Sequence, residues 1–136
     1  MTWVATASDG SAKIPDADRP HPRSYGTFTR KLGVYAVREG IVTVEQAVRS
    51  SSGLPADILG LKDRGYLKPG LAADIVVFDP KQIVDRATYE KPYEYSDGVR
   101  HVFVNGVPAI YEGTPTGALA GKALRRTGAK DDARAE

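Results

Sequence analysis

The sequence predicts an α+β fold: a helical N-terminal half followed by a small antiparallel β unit from Gly65 to about Gly113. Three observations predict it. Between Thr27 and Gly60 apolar residues recur at helical spacing, with start and stop signals between the segments. From Gly65 onward the texture changes to short apolar runs separated by turns. Between two of those runs, Asn105-Gly106 supplies the pair of positive-φ residues that a tight type I′ hairpin needs. The chain divides accordingly into residues 1–60, a β segment at 61–113 and a tail at 114–136.

Trp3 to Ala7 is a β-prone run that stops at the turn tripeptide Ser8-Asp9-Gly10. Ser11 to Ser24, with three prolines and five charged residues, has the composition of a loop. Thr27 to Glu39 reads as a helix, with Phe28, Leu32, Tyr35 and Ala36 on one face and Gly40 as its stop. Gly33 weakens that helix, because a mid-helix glycine costs about 1 kcal/mol. Thr43-Val44-Glu45-Gln46 is a capping box that opens a second helix with Val44, Ala47 and Val48 on its apolar face. Leu54 to Gly60 fits a short third helix, with Pro55 in its first turn.

In the β segment, Ala73 to Phe78 is apolar on both faces and calls for cover on both sides. Val99 to Val104 and Val107 to Tyr111 flank the Asn105-Gly106 turn, and Pro108 confines the second of them to an edge or a bulge. Asp74, at a strand start after the Pro69-Gly70 turn, is placed to bond nearby backbone amides. His101 reads as a half-buried strand residue rather than a ligand. The last dozen residues, rich in charge, glycine and alanine, are expected to be disordered.

Composition removes several function classes. Apolar residues at 41% and charged residues at 26% fit a globular domain. No apolar run approaches the ~20 residues that cross a bilayer. The first seven residues lack the basic flank and apolar length of a secretory signal. With no cysteine there are no disulfides or thiolate metal sites, and the cytoplasm is the expected compartment. The net charge of +2 comes largely from Lys122, Arg125, Arg126 and Lys130, with no aromatics or reading motif beside them, so no nucleic-acid partner and no membrane partner is expected.

The segment Gly65-Tyr66-Leu67-Lys68-Pro69-Gly70-Leu71-Ala72-Ala73-Asp74-Ile75-Val76-Val77-Phe78-Asp79, together with Val102 to Gly106, resembles the closing β-sandwich segment of the amidohydrolase superfamily. Within it, Ser8-Asp9-Gly10, His21-Pro22-Arg23 and Gly26-Thr27-Phe28 followed by Thr29-Arg30-Lys31-Leu32 resemble the N-acyl-D-amino-acid deacylases, or D-aminoacylases. The resemblance runs from about Trp3 to about Leu124. It implies that residues 1–60 are the last strand and helices of an incomplete TIM-type barrel, joined to part of a β-sandwich. It also implies a zinc-assisted hydrolysis of an N-acyl-D-amino acid to a carboxylate and a free D-amino acid, with zinc held by the intact enzyme.

Asp9 is then the candidate catalytic residue, taking a proton from the attacking water and passing it to the leaving nitrogen. Asp-Gly is also an ordinary turn pair, and that reading stands beside the catalytic one. Arg23 is a candidate for pairing with a substrate carboxylate and His21 for a hydrogen bond near it, each against the plainer reading of an exposed loop residue. A catalytic zinc needs about three protein ligands. With two histidines, no cysteine and no His-x-His pair, this chain is expected to bind no metal alone and to be inactive alone. The expected partner is the missing barrel portion of the same protein, or a self-associated copy. The alternative is a free-standing oligomerisation or binding module derived from a truncated gene of this kind.

Overall fold

A computed structural model describes residues 3–15 and 18–124. The disorder expected for the last dozen residues lies outside the described residues. Helix α1 (Arg23–Arg30) runs directly into a π-helical segment (Lys31–Arg38). Helices α2 (Val44–Ser51) and α3 (Gly53–Leu59) follow. Strands β1 (Ile75–Phe78), β2 (Val99–Val104), β3 (Val107–Tyr111) and β4 (Thr114–Pro115) form one antiparallel sheet in sequence order.

The first helix is longer than its sequence pattern. It starts at Arg23, inside the stretch assigned to a loop, because the two prolines around His21 precede the helix and do not interrupt it. Its second half widens to i→i−5 pairing, with the Glu39 N–H donating to the Val34 carbonyl at 2.9 Å. The buried stripe is Gly26, Gly33 and Ala36, whereas Phe28 and Tyr35, expected to face the core, are exposed. Gly33 explains this. A Cβ there would lie 2.0 Å from the Ile83 carbonyl oxygen, so its missing side chain lets the β1–β2 connection press against the helix backbone.

Helix α2 opens with the predicted capping box: Thr43 Oγ1 accepts from the Gln46 N–H at 3.2 Å, and Gln46 Oε1 accepts from the Thr43 N–H at 3.3 Å. Ala47 is fully buried, while Val48 from the same predicted face is exposed. Helix α3 ends at Gly60 as predicted.

Trp3 to Ala7 is not a strand. No neighbouring strand exists for it among the described residues, and its one backbone tie is the Thr6 N–H donating to the Ser50 carbonyl at 2.7 Å, at the end of α2. The Lys31 ammonium reinforces that tie by donating to Thr6 Oγ1 and, at 2.6 Å, to Ser50 Oγ. Half-burial without a carboxylate lowers the pKa of Lys31.

The β2–β3 hairpin turns on Asn105 and Gly106, at φ of 50° and 81°. Pro108 falls at a register shift between β2 and β3, where its missing N–H breaks no regular ladder. Asp74 clips this hairpin from outside. Its Oδ1 accepts from the Asn105 N–H at 2.8 Å and its Oδ2 pairs with the buried Arg64, whose guanidinium also contacts Asp63. His101 is half-buried in β2, with Nδ1 accepting from the Glu112 N–H at 3.2 Å. The sheet continues past Gly113 into β4. The cover that β1 calls for is missing among the described residues: Val76 and Val77, on opposite faces, are 57% and 42% exposed.

The core lies where the first helix meets the β1–β2 connection. Ile83 is its one large, fully buried side chain. Arg30 pairs with Asp85 at 3.0 Å and Thr29 Oγ1 meets Ser96 Oγ at 2.6 Å across the same seam. The connection then carries Tyr89 and Tyr93 back toward the start of α1.

Candidate functional site

The three residues singled out in the sequence come together at the N-terminal end of α1. Arg23 Nη2 lies 2.9 Å from Asp9 Oδ2. The Arg23 N–H donates to His21 Nδ1 at 3.0 Å. His21 Nε2 lies 2.9 Å from the Tyr89 hydroxyl.

Local sequence explains each position. Asp9 sits at φ 49°, in the left-handed region that aspartate tolerates better than most residues. Gly10 follows against the helix start, where a Cβ would come 2.9 Å from Ser24 Cα. That close approach brings Asp9 within reach of Arg23. The Ser11 N–H donates to Ser24 Oγ at 3.4 Å, and Tyr25 Oη donates to the Lys13 carbonyl at 2.6 Å. The strap from Asp9 to Lys13 is therefore held along the first turn of α1.

Both charges of the pair face solvent, with Asp9 84% and Arg23 44% exposed. An ion pair this open contributes little to stability, about 0–1 kcal/mol. Its chemical meaning is that Arg23 offers a planar donor fork, and Asp9 an acceptor carboxylate, on one open surface. Tyr89 was not legible in the sequence. It stands 68 positions from His21 in a segment without periodicity, and only the path of the β1–β2 connection brings it there.

The described residues do not fit a metal site. No three His, Asp or Glu side chains among them converge. Both ring nitrogens of His21 are engaged, and Nδ1 of His101 holds a backbone amide.

Residues 3–110 match the model of the amidohydrolase family. The chain belongs to the amidohydrolase family. It is 48% identical over 120 residues to a D-aminoacylase of Alcaligenes xylosoxydans xylosoxydans, covering 88% of this chain and 25% of that protein. Against an N-acyl-D-glutamate deacylase of the same organism it is 44% identical over 117 residues, covering 86% and 24%. Among solved structures, a D-aminoacylase superposes with a TM-score of 0.77 at 45% identity, covering 79% of this chain and 23% of that one. An N-acyl-D-glutamate deacylase from Bordetella bronchiseptica, complexed with zinc and a phosphonate mimic of the tetrahedral intermediate, superposes at 0.66 with 46% identity, covering 71% and 21%. The amidohydrolase chain thus spans about a quarter of the length of the relatives it matches. No helix among its described residues is long and apolar enough to cross a membrane.

Proposed function

We propose that this chain is the C-terminal part of a zinc-dependent amidohydrolase that hydrolyses N-acyl-D-amino acids to a carboxylate and a D-amino acid. The observation that carries the reading is the Asp9–Arg23 pair at 2.9 Å, which sets a proton acceptor beside a carboxylate-binding cation. N-acyl-D-amino acids present both matching features: a free carboxylate for Arg23, and an amide whose cleavage needs a proton moved to the leaving nitrogen. In this role Arg23 exchanges Asp9 for the substrate carboxylate, and Asp9 is released to act as general base and then general acid. His21 holds the Arg23 backbone. Zinc and its ligands belong to the rest of the enzyme, together with the barrel strands that would flank Trp3 to Ala7. No step of the reaction runs through a metal held by this chain.

The reading predicts that the chain alone neither binds zinc tightly nor turns over N-acetyl-D-amino acids. A polypeptide extended to include the missing portion should do both. In the extended form, Asp9→Asn lowers kcat by about 10²–10⁴, the usual contribution of a general acid–base group. Clear turnover by the 136-residue chain overturns the fragment reading. Full activity of Asp9→Asn overturns the role of Asp9.

The exposed apolar residues of the sheet support a second reading, a self-associating module in which an open face of the sheet, such as the one that carries Val76, meets a copy. A homo-oligomer of fixed size on light scattering supports it, and a monomer at all concentrations sinks it.

A further inference from the structure

The start of α1 is capped in an unusual way. Pro22 occupies the N-cap position and provides no side-chain cap. The Arg23 N–H is one of the amides a helix start leaves without an intrahelical partner. Here the partner is the His21 ring, at 3.0 Å. A ring nitrogen that accepts carries no proton, so Nδ1 is bare and the proton of neutral His21 sits on Nε2. Nε2 therefore donates to the Tyr89 hydroxyl at 2.9 Å. The two rings also meet edge-on, with centroids 5.0 Å apart and planes at 76°. The sequence of contacts is continuous: Tyr89 holds the imidazole, the imidazole holds the Arg23 backbone, and the Arg23 guanidinium reaches Asp9.

We propose that Tyr89 is a positioning residue of the candidate site, fixing the His21 ring that caps α1 and sets Arg23 in place. Its functional meaning rests on the reading of Arg23 as the carboxylate partner; its geometric content does not. The β1–β2 connection thereby does two jobs at two points along its length. Ile83 anchors it beneath the helix, and Tyr89 sets the helix start.

The test is nitrogen-15 NMR on the full chain and on Tyr89→Phe, which keeps the ring and its edge contact and removes only the hydroxyl. Tyr89 is 68% exposed, so the variant is expected to fold. With two histidines in the sequence, His101 and the Glu112 amide it holds serve as the internal reference. In the parent chain His21 is expected as the Nε2–H tautomer. In Tyr89→Phe the Arg23 amide is expected to exchange about five-fold faster, the equivalent of one ordinary hydrogen bond of about 1 kcal/mol. The Glu112 amide should not change. An Nδ1–H tautomer of His21, an unchanged Arg23 amide, or equal acceleration at Arg23 and Glu112 each overturns the proposal.

A second arm titrates N-acetyl-D-leucine while following the Arg23 Nε–H resonance. Weakening of about five-fold in Tyr89→Phe supports positioning for binding, and unchanged affinity overturns it. If the resonance does not move in the parent chain, the reading of Arg23 as carboxylate partner fails, and the exchange comparison still decides the role of Tyr89.

Discussion

The seam between the first helix and the β1–β2 connection is closed, whereas the outer sheet is open. At the seam, glycine at 33 lets two backbones approach, Ile83 is fully buried, and an ion pair and a hydroxyl contact bridge the layers. On β1, valines at 76 and 77 remain largely in solvent although the residue types ask for cover. The contrast separates what this chain buries from what it leaves in solvent. The candidate site is open to solvent but is tied to the closed part, since the connection that packs at the seam also delivers Tyr89 to His21. The largest test of that comparison is Gly33→Ala. The added methyl gains about 1 kcal/mol of helix propensity, but meets a backbone oxygen that cannot rotate away. Overpacking typically costs about 1–3 kcal/mol, and the backbone clash here belongs at the upper end, so a net loss of about 2 kcal/mol is expected in urea unfolding. A stability unchanged or raised means that the seam gives way and is not the rigid element described.

The next effect in size tests the boundary between the two regions. Asp74→Ala removes the acceptor of the Asn105 N–H and one of the two carboxylates facing the buried Arg64. Asp63 remains, so the charge is not fully orphaned. The expected loss is about 2 kcal/mol, in the range for hydrogen bonds to charged groups. Amide exchange at Asn105 should accelerate more than at Ala47, since the clip acts on the hairpin turn. Equal acceleration at both positions would show that the clip stabilises the whole fold rather than the sheet.

Much of this was legible in the sequence, and the reasons differ by element. The capping box at Thr43 and Gln46 and the turn at Asn105-Gly106 are local devices, satisfied by residues close in sequence, so their residue types report them directly. The helix at Thr27 is legible in the sequence, but its buried face is not. Periodicity marks large apolar residues, while the packing here runs through glycine and alanine, which periodicity counts as neutral. Trp3 to Ala7 has residues that favour a strand, yet a strand is a pairing and no partner is present among the described residues. Asp9, His21 and Arg23 were each visible as candidates. Their joining was not, because it depends on Gly10 against Ser24 and on a tyrosine 68 positions from the histidine.

The smallest expected effect addresses the open side. Val76→Thr keeps the shape and β-branching of the side chain and adds one hydroxyl. At 57% exposure that hydroxyl meets water, so in this chain the change should stay within about 0.5 kcal/mol of the parent. In a polypeptide extended to include the missing portion, a second layer over β1 would bury the same hydroxyl away from water, at a cost of about 1–3 kcal/mol by mutational data. The discriminating quantity is the difference between the two backgrounds, measured by urea unfolding of each with and without the substitution. A small cost in both backgrounds would mean that Val76 stays in solvent in the longer protein too. The exposed valines would then be a property of this sheet rather than the imprint of an absent layer, and the fragment reading would rest on the Asp9–Arg23 site and the family match alone.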